Sequence, residues 1–178
     1  MGSDPAFSDA ARATGEAMAA RGIALVYGGG RRGLMGVVAD AVLSNGGEAF
    51  GVIPQALVDL EVAHTGLTEL HTVTSMHERK AKMTELTDAF VALPGGIGTF
   101  DELFEAWTWN ALGYHAKPFA LLNVGGFWDG MIGFLDTATQ SGFMSPARRE
   151  QLLVADDIEE AIEKLDAAIG AAEKKMVW

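Results

Sequence analysis

The chain has 178 residues and carries 13 Lys and Arg against 24 Asp and Glu, a formal net charge of −11. Hydrophobic residues make up 49% and charged residues 21%, and there is no cysteine. The length suits one domain spanning residues 1–178 and is enough for a full core, the apolar fraction excludes a disordered acidic chain, and the acidic balance argues against a nucleic-acid polymer or an anionic membrane surface as partner. Absence of cysteine removes disulfides, thiolate catalysis and cysteine-ligated metals together. The first residues, Met1-Gly2-Ser3-Asp4-Pro5, lack the basic and apolar regions of a secretion signal. Apolar runs fall far short of the ~20 residues of a membrane span. The expected location is the cytoplasm.

In chain order, residues 4–21 read as a helix, with Asp4 as cap, Pro5 in the first turn and Gly22 as stop. Residues 23–27 form a short apolar run bounded by glycine, a buried strand. A helix over 33–44 ends at Asn45-Gly46-Gly47, and a strand over 49–53 is stopped by Pro54. A weaker strand covers 67–73. The helix over 75–88 starts with Ser75 as cap and Glu78 three residues on, a capping box. A strand over 89–93 stops at Pro94, and a helix follows from Thr99 to residue 112. Then come a strand over 119–123, a helix over 127–141, a short strand over 152–154 and a charged helix from 156 towards 175. Short apolar strands alternating with helices predict parallel pairing with both sheet faces covered, a doubly wound Rossmann-like α/β fold. In such a fold the ligand site lies at the carboxyl ends of the strands.

Two glycine-rich loops fall there. Gly28-Gly29-Gly30-Arg31-Arg32-Gly33 matches G-x-G-x-x-G, but the next strand ends in Phe50-Gly51-Val52-Ile53-Pro54, without the acid that holds a ribose in dinucleotide sites. Two readings stay open for Gly29 and Gly30: a phosphate or sugar passing close to this backbone, or a tight strand-to-helix turn beside solvated arginines. Pro94-Gly95-Gly96-Ile97-Gly98-Thr99 is more specific: a strand breaks, glycines bare the backbone, and a helix N-terminus offers unpartnered N–H groups to a phosphate. Without Gly-Lys-Ser/Thr it is not a triphosphate loop. Thr99 and Glu102 are spaced as a capping box, and that reading stands beside a catalytic one for Glu102.

Ser75-Met76-His77-Glu78-Arg79-Lys80-Ala81-Lys82-Met83 concentrates cations in an acidic chain. Such a run is commonly a solvated face. Here Arg79 lies beside the stripe of Met76, Lys80 and Met83, which suits an arginine turned into a cleft to pair with phosphate or carboxylate. His64, His71, His77 and His115 show no metal-ligand spacing, and there is no serine nucleophile elbow.

Taken together, Gly28-Gly29-Gly30…Gly33-Leu34-Met35-Gly36, Met76-His77-Glu78-Arg79-Lys80 and Pro94-Gly95-Gly96-Ile97-Gly98-Thr99-Phe100-Asp101-Glu102 resemble the LOG ("lonely guy") family of cytokinin riboside 5′-monophosphate phosphoribohydrolases. The similarity runs from about residue 4 to 157. It implies a Rossmann-like homodimer that splits the N-glycosidic bond of AMP or prenylated AMP, giving free base and ribose 5-phosphate, with no metal and no organic cofactor. The family's catalytic arginine and glutamate fall on Arg79 and Glu102. Its substrate contacts fall on Glu61, Lys80, the loop Gly95, Gly96, Ile97, Gly98 and Thr99, and Thr108. The resemblance begins just after the family's usual first strand, so either the start is truncated or misassigned or the expected sheet lacks that strand. Arg31-Arg32 stands where the family has Ser and a small or apolar residue. The rival readings are a non-catalytic nucleotide or molybdopterin carrier of similar fold and, more remotely, a pyridoxal-phosphate lysine decarboxylase.

Overall fold

A computed structural model of the chain describes residues 2–61 and 63–173. It divides into two compact units, Met1–Thr87 and Asp88–Trp178. Each is a three-stranded parallel sheet flanked by helices, the α/β architecture expected from the strand and helix alternation.

The first unit opens with α1 (Pro5–Ala20), capped by Asp4, whose Oδ1 accepts the Ala6 N–H at 2.9 Å. Gly22 follows the helix with φ +66°, a conformation that favours glycine. Next come β1 (Leu25–Tyr27), α2 (Gly33–Ser44), β2 (Ala49–Pro54), the short α3 (Gln55–Glu61), β3 (Glu69–Val73) and α4 (Met76–Leu86). The sheet order is β1-β2-β3, with Leu25 beside Ala49 and Phe50 beside Glu69. Its core gathers Leu25, Tyr27, Val38, Ala39, Val42 and Ala49. Gly15 lets α1 lie close on α2: a Cβ there would sit 2.6 Å from both the Ala41 methyl and the Val38 carbonyl.

The second unit contains β4 (Phe90–Ala92), α5 (Ile97–Ala111), β5 (Phe119–Leu122), a single 3₁₀ turn (Val124–Gly126), α6 (Asp129–Gln140), α7 (Pro146–Glu150), β6 (Leu152–Ala155) and α8 (Ile158–Glu173). The order is β4-β5-β6, again parallel. All four residues of the central strand β5 are buried, as a parallel strand covered on both faces requires. Leu103, Ala106 and Trp107 of α5 join Phe119, Leu121, Trp128, Leu135 and Leu152 in the core. Trp107 is therefore a packing residue, while Tyr114 is 76% exposed.

Two short helices, α3 and α7, were not expected from the sequence. α7 carries a legible signal all the same, since the Ser145 hydroxyl caps it and Pro146 fills its first position. β2 also runs through Pro54, and the last helix starts at Ile158; residues 174–175 of the expected helix lie outside the described residues. The largest correction concerns α5. It begins at Ile97, two residues before Thr99, with Gly96 at the cap position and no side-chain cap. Among the described residues, no helix is long and apolar enough to cross a membrane.

Candidate functional site

In each unit the glycine loop lies where a parallel sheet places a ligand, at the carboxyl end of a strand. In the first unit it follows β1. Gly28, Gly29 and Gly30 are buried, whereas Arg31 and Arg32 are exposed. Gly29 has φ +73°, and a Cβ on it would press on Leu70 at 3.1 Å and Ile53 at 3.4 Å. A Cβ on Gly28 would collide with Nη2 of Arg79. Gly36 is pinned in the same way, by the Arg31 carbonyl.

Arg79 is the buried residue of α4, only 7% exposed. Its Nε donates to the Val52 carbonyl on β2 at 3.0 Å, and its Nη1 lies 3.8 Å from the Met76 sulfur. The helix that carries it is well capped. Ser75 Oγ accepts the Glu78 N–H at 3.1 Å, and Glu78 Oε2 accepts the N–H and hydroxyl of Thr74 at 2.8 and 2.7 Å. The Thr74 backbone bond, then its hydroxyl bond, hold the Glu78 carboxyl below its usual range. Of the two sequence readings for this cationic run, the solvated face does not describe Arg79. A guanidinium is costly to bury without acceptors, and here a strand carbonyl and a glycine surface receive it. Lys80 is half-buried, and α3 closes at Glu61, whose side chain falls outside the described part of the structure.

One polar pair near this loop escaped the sequence reading. His64 is buried, and its Nε2 lies 3.0 Å from Oδ1 of Asp40 on α2. Its backbone N–H donates to the Gly29 carbonyl at 3.0 Å, and the neighbouring Ala63 forms an isolated antiparallel bridge with Gly30. Twenty-four positions separate His64 from Asp40, so no local spacing announces the pair. Tyr27, the last residue of β1, is buried too. Burial first, and then the Asp40 charge, push its phenol well above the usual value.

In the second unit the loop follows β4. Pro94 is buried, Gly95 and Thr99 are half-buried, and Gly96, Ile97 and Gly98 are exposed, Ile97 at 83%. The Thr99 hydroxyl lies against Gly95, where a Cβ would strike it. At Gly96 and Gly98 an added Cβ would meet nothing within 4 Å among the described residues. The first N–H groups of a helix have no partner within it, and here they belong to Ile97, Gly98 and Thr99, bared by glycine. Together with the helix dipole, N–H groups of this kind favour an anion.

The start of α5 bears on one of the open readings. With Gly96 at the cap, Thr99 is the third helical residue and Glu102 the sixth, so Thr99 is not the cap residue of α5. Glu102 is half-buried, one turn along the helix whose N-terminus faces the open loop. Thr108, further along, is exposed and returns its hydroxyl to the Phe104 carbonyl at 2.6 Å. An open groove of about 830 Å³ runs along this side of α5 past Ile97, Gly98, Phe104, Thr108 and Leu112.

A family profile described as "Possible lysine decarboxylase" matches residues 35–165. A cytokinin riboside 5′-monophosphate phosphoribohydrolase of Rhodococcoides fascians is 48% identical over 157 residues, covering 88% of this chain and 79% of that protein. One from Oryza sativa subsp. japonica is 44% identical over 177 residues, covering 99% of this chain and 73% of its own. Among solved structures, a molybdenum cofactor binding protein from Rippkaea orientalis superposes with a TM-score of 0.71 at 20% identity, over 93% of this chain and 90% of that one. That likeness concerns the fold alone. The family match and the two close relatives together carry the assignment: the chain belongs to the LOG family, that of the cytokinin riboside 5′-monophosphate phosphoribohydrolases.

Proposed function

We propose that this chain hydrolyses the N-glycosidic bond of adenosine 5′-monophosphates of the cytokinin type, releasing the free adenine-type base and ribose 5-phosphate. The observation that carries the reading is the start of α5. Its bared N-terminus suits an anion, and Glu102 lies one turn further along the same helix.

The chemistry divides into tasks. The N–H groups of Ile97, Gly98 and Thr99, the Thr99 hydroxyl and the Gly95-Gly96 backbone bind the 5′-phosphate. That grip fixes the sugar and raises the rate through orientation as well as affinity. As the C1′–N bond lengthens, the ribose acquires oxocarbenium character. Glu102 stabilises that positive charge, or takes a proton from the attacking water. The water oxygen bonds to C1′, and the base leaves with a proton on its nitrogen. Arg79, held rigidly by the Val52 carbonyl, supplies the fixed positive charge that orients phosphate or sugar oxygens. Glu61, Lys80 and Thr108, with the Gly29 and Gly30 backbone, are assigned as further substrate contacts. The reaction uses water as its only co-reactant, with no metal or organic cofactor, and the protein works in the cytoplasm as a homodimer. Exposed apolar residues on and beyond α5, Ile97 at 83%, Leu112 at 66% and Tyr114 at 76%, support the dimer reading, since contiguous apolar surface commonly marks association. Light scattering behind a sizing column checks it: a monomer at working concentration would overturn it.

The deciding assay is incubation with AMP and with isopentenyladenosine monophosphate, followed by chromatography of free base and ribose 5-phosphate. Release of both products is expected from one or both substrates. Tight nucleotide binding without base release favours a carrier, a reading that needs the glycine loop of α5 but not Glu102 and Arg79 together.

A further inference from the structure

The connection from α3 to β3 folds back onto the first glycine loop and is tied there at two adjacent residues. Gly30 bridges to Ala63, and the Gly29 carbonyl accepts the His64 N–H at 3.0 Å. The His64 side chain adds a third tie, reaching Asp40 Oδ1 at 3.0 Å. A carboxylate only accepts, so Nε2 carries the proton in this bond. The imidazole is buried, its side chain 4% exposed, while Asp40 is 61% exposed. His64 Nδ1 is also buried and makes no hydrogen bond among the described residues. Burying an imidazole with one nitrogen unsatisfied is unfavourable, and an apolar residue would fill the same place without that cost. What the histidine adds is direction. It joins the loop backbone to α2, whose N-terminal turn begins where the loop ends.

We propose that His64 and Asp40 form a positioning clasp, which locks the α3–β3 connection onto Gly29 and Gly30 and so keeps Gly28 seated against the Arg79 guanidinium. Gly28 is the neighbour of Gly29, and its Cα has no room to shift towards Arg79. Loosening the Gly29 contact therefore frees the surface on which the guanidinium rests. His64 and Asp40 do not touch the substrate; they act through the loop. The proposal rests on the phosphoribohydrolase reading insofar as Arg79 works in that reaction, while the clasp itself can be measured without any substrate.

The test uses Asp40→Ala, Asp40→Asn, His64→Phe and the double variant Asp40→Ala/His64→Phe in the full-length protein. Asp40 is mostly exposed, so Asp40→Ala should fold; His64→Phe fills the buried space and removes both nitrogens. Hydrogen exchange of the peptides covering 28–33 and 63–66 is expected to accelerate in Asp40→Ala and to stay slow in Asp40→Asn, which keeps an acceptor oxygen. Misplacing a catalytic group costs up to about a hundredfold in rate, so kcat on a nucleoside monophosphate should fall about ten- to a hundredfold in Asp40→Ala and in His64→Phe, and stay near wild type in Asp40→Asn. The double variant should fall no further than the worse single one. Unchanged exchange in Asp40→Ala overturns the clasp. Faster exchange with unchanged kcat in Asp40→Ala overturns the positioning role, as does an additive double variant. If the wild-type protein releases no base, the functional reading fails, and the exchange data still decide the clasp.

Discussion

The two glycine loops differ in how the protein surrounds them, although Gly95 of the second is crowded by Thr99 as the glycines of the first are by their neighbours. In the loop after β1, an added Cβ would be crowded at Gly28 by Arg79 and at Gly29 by Leu70 and Ile53, and at Gly36, in the first turns of α2, by the Arg31 carbonyl. Those glycines are required by packing. In the loop after β4, Gly96 and Gly98 have open space around them among the described residues. Packing does not require them, and Gly98 even lies inside a helix, where glycine costs about 0.5–1 kcal/mol relative to alanine. A residue that weakens its own helix without relieving any crowding invites a reading in terms of ligand: its bare backbone lets an anion approach. The first loop thus packs Gly28 against a buried arginine, while the second leaves its backbone open at Gly96 and Gly98.

Breaking this contrast gives a graded set of outcomes. Glu102→Gln should lower base release by on the order of 10²–10³-fold with the melting temperature unchanged, because Glu102 does not cap α5. A variant that melts early yet stays active in its folded fraction would return Glu102 to a structural role. Gly36→Ala should cost about 1–3 kcal/mol of stability in denaturant titration, because its Cβ meets a backbone carbonyl that has no rotamer to change. Gly98→Ala should do the reverse, leaving stability unchanged or about 0.5–1 kcal/mol higher while raising KM for nucleoside monophosphates. If Gly98→Ala destabilises the fold or leaves KM untouched, the contrast between the loops fails.

The smallest effect compares the two helices whose first turns are closed by glutamate. Glu78 accepts from Thr74 in the first unit, and Glu160 accepts from the Asp156 N–H and pairs with Lys164 in the second. Both carboxyls are held below their usual value of 4.5, Glu78 chiefly by the Thr74 backbone bond and Glu160 chiefly by Lys164. A depressed folded-state value means stability that is present above the unfolded value and is lost as pH falls through the folded one. Wild type should therefore melt slightly above Glu78→Gln and Glu160→Gln near neutral pH. The differences should close as pH drops below about 4.5. Added salt should shrink the Glu160 gap more, because its largest partner is a charge.

Much of this architecture was readable from local chemistry. Asp4, Pro5 and Gly22 bracket α1 as their conformational preferences dictate, and Ser75 with Glu78 marks the start of α4. In both α4 and α8, however, the glutamate reaches one residue further back than a capping box would place it, to Thr74 and to Asp156. The start of α5 was misplaced for a related reason. Thr99 is the stronger cap by side-chain chemistry, yet Pro94 and two glycines deliver the chain already turned, and the helix begins at Ile97 without any side-chain cap. α3 lacks the periodicity and cap that would announce seven residues as helix.

The sequence alone determined the alternation of strand and helix, the two loops at strand ends, and the Arg79 and Glu102 motifs. Each depends on residues within a few positions of one another. Tertiary structure alone decided that Arg79 is buried on a strand carbonyl, that Gly28 and Gly29 pack closely against other elements, and that His64 meets Asp40. Those facts join residues from different elements, and their physical cause is close packing, which no local pattern along the chain encodes.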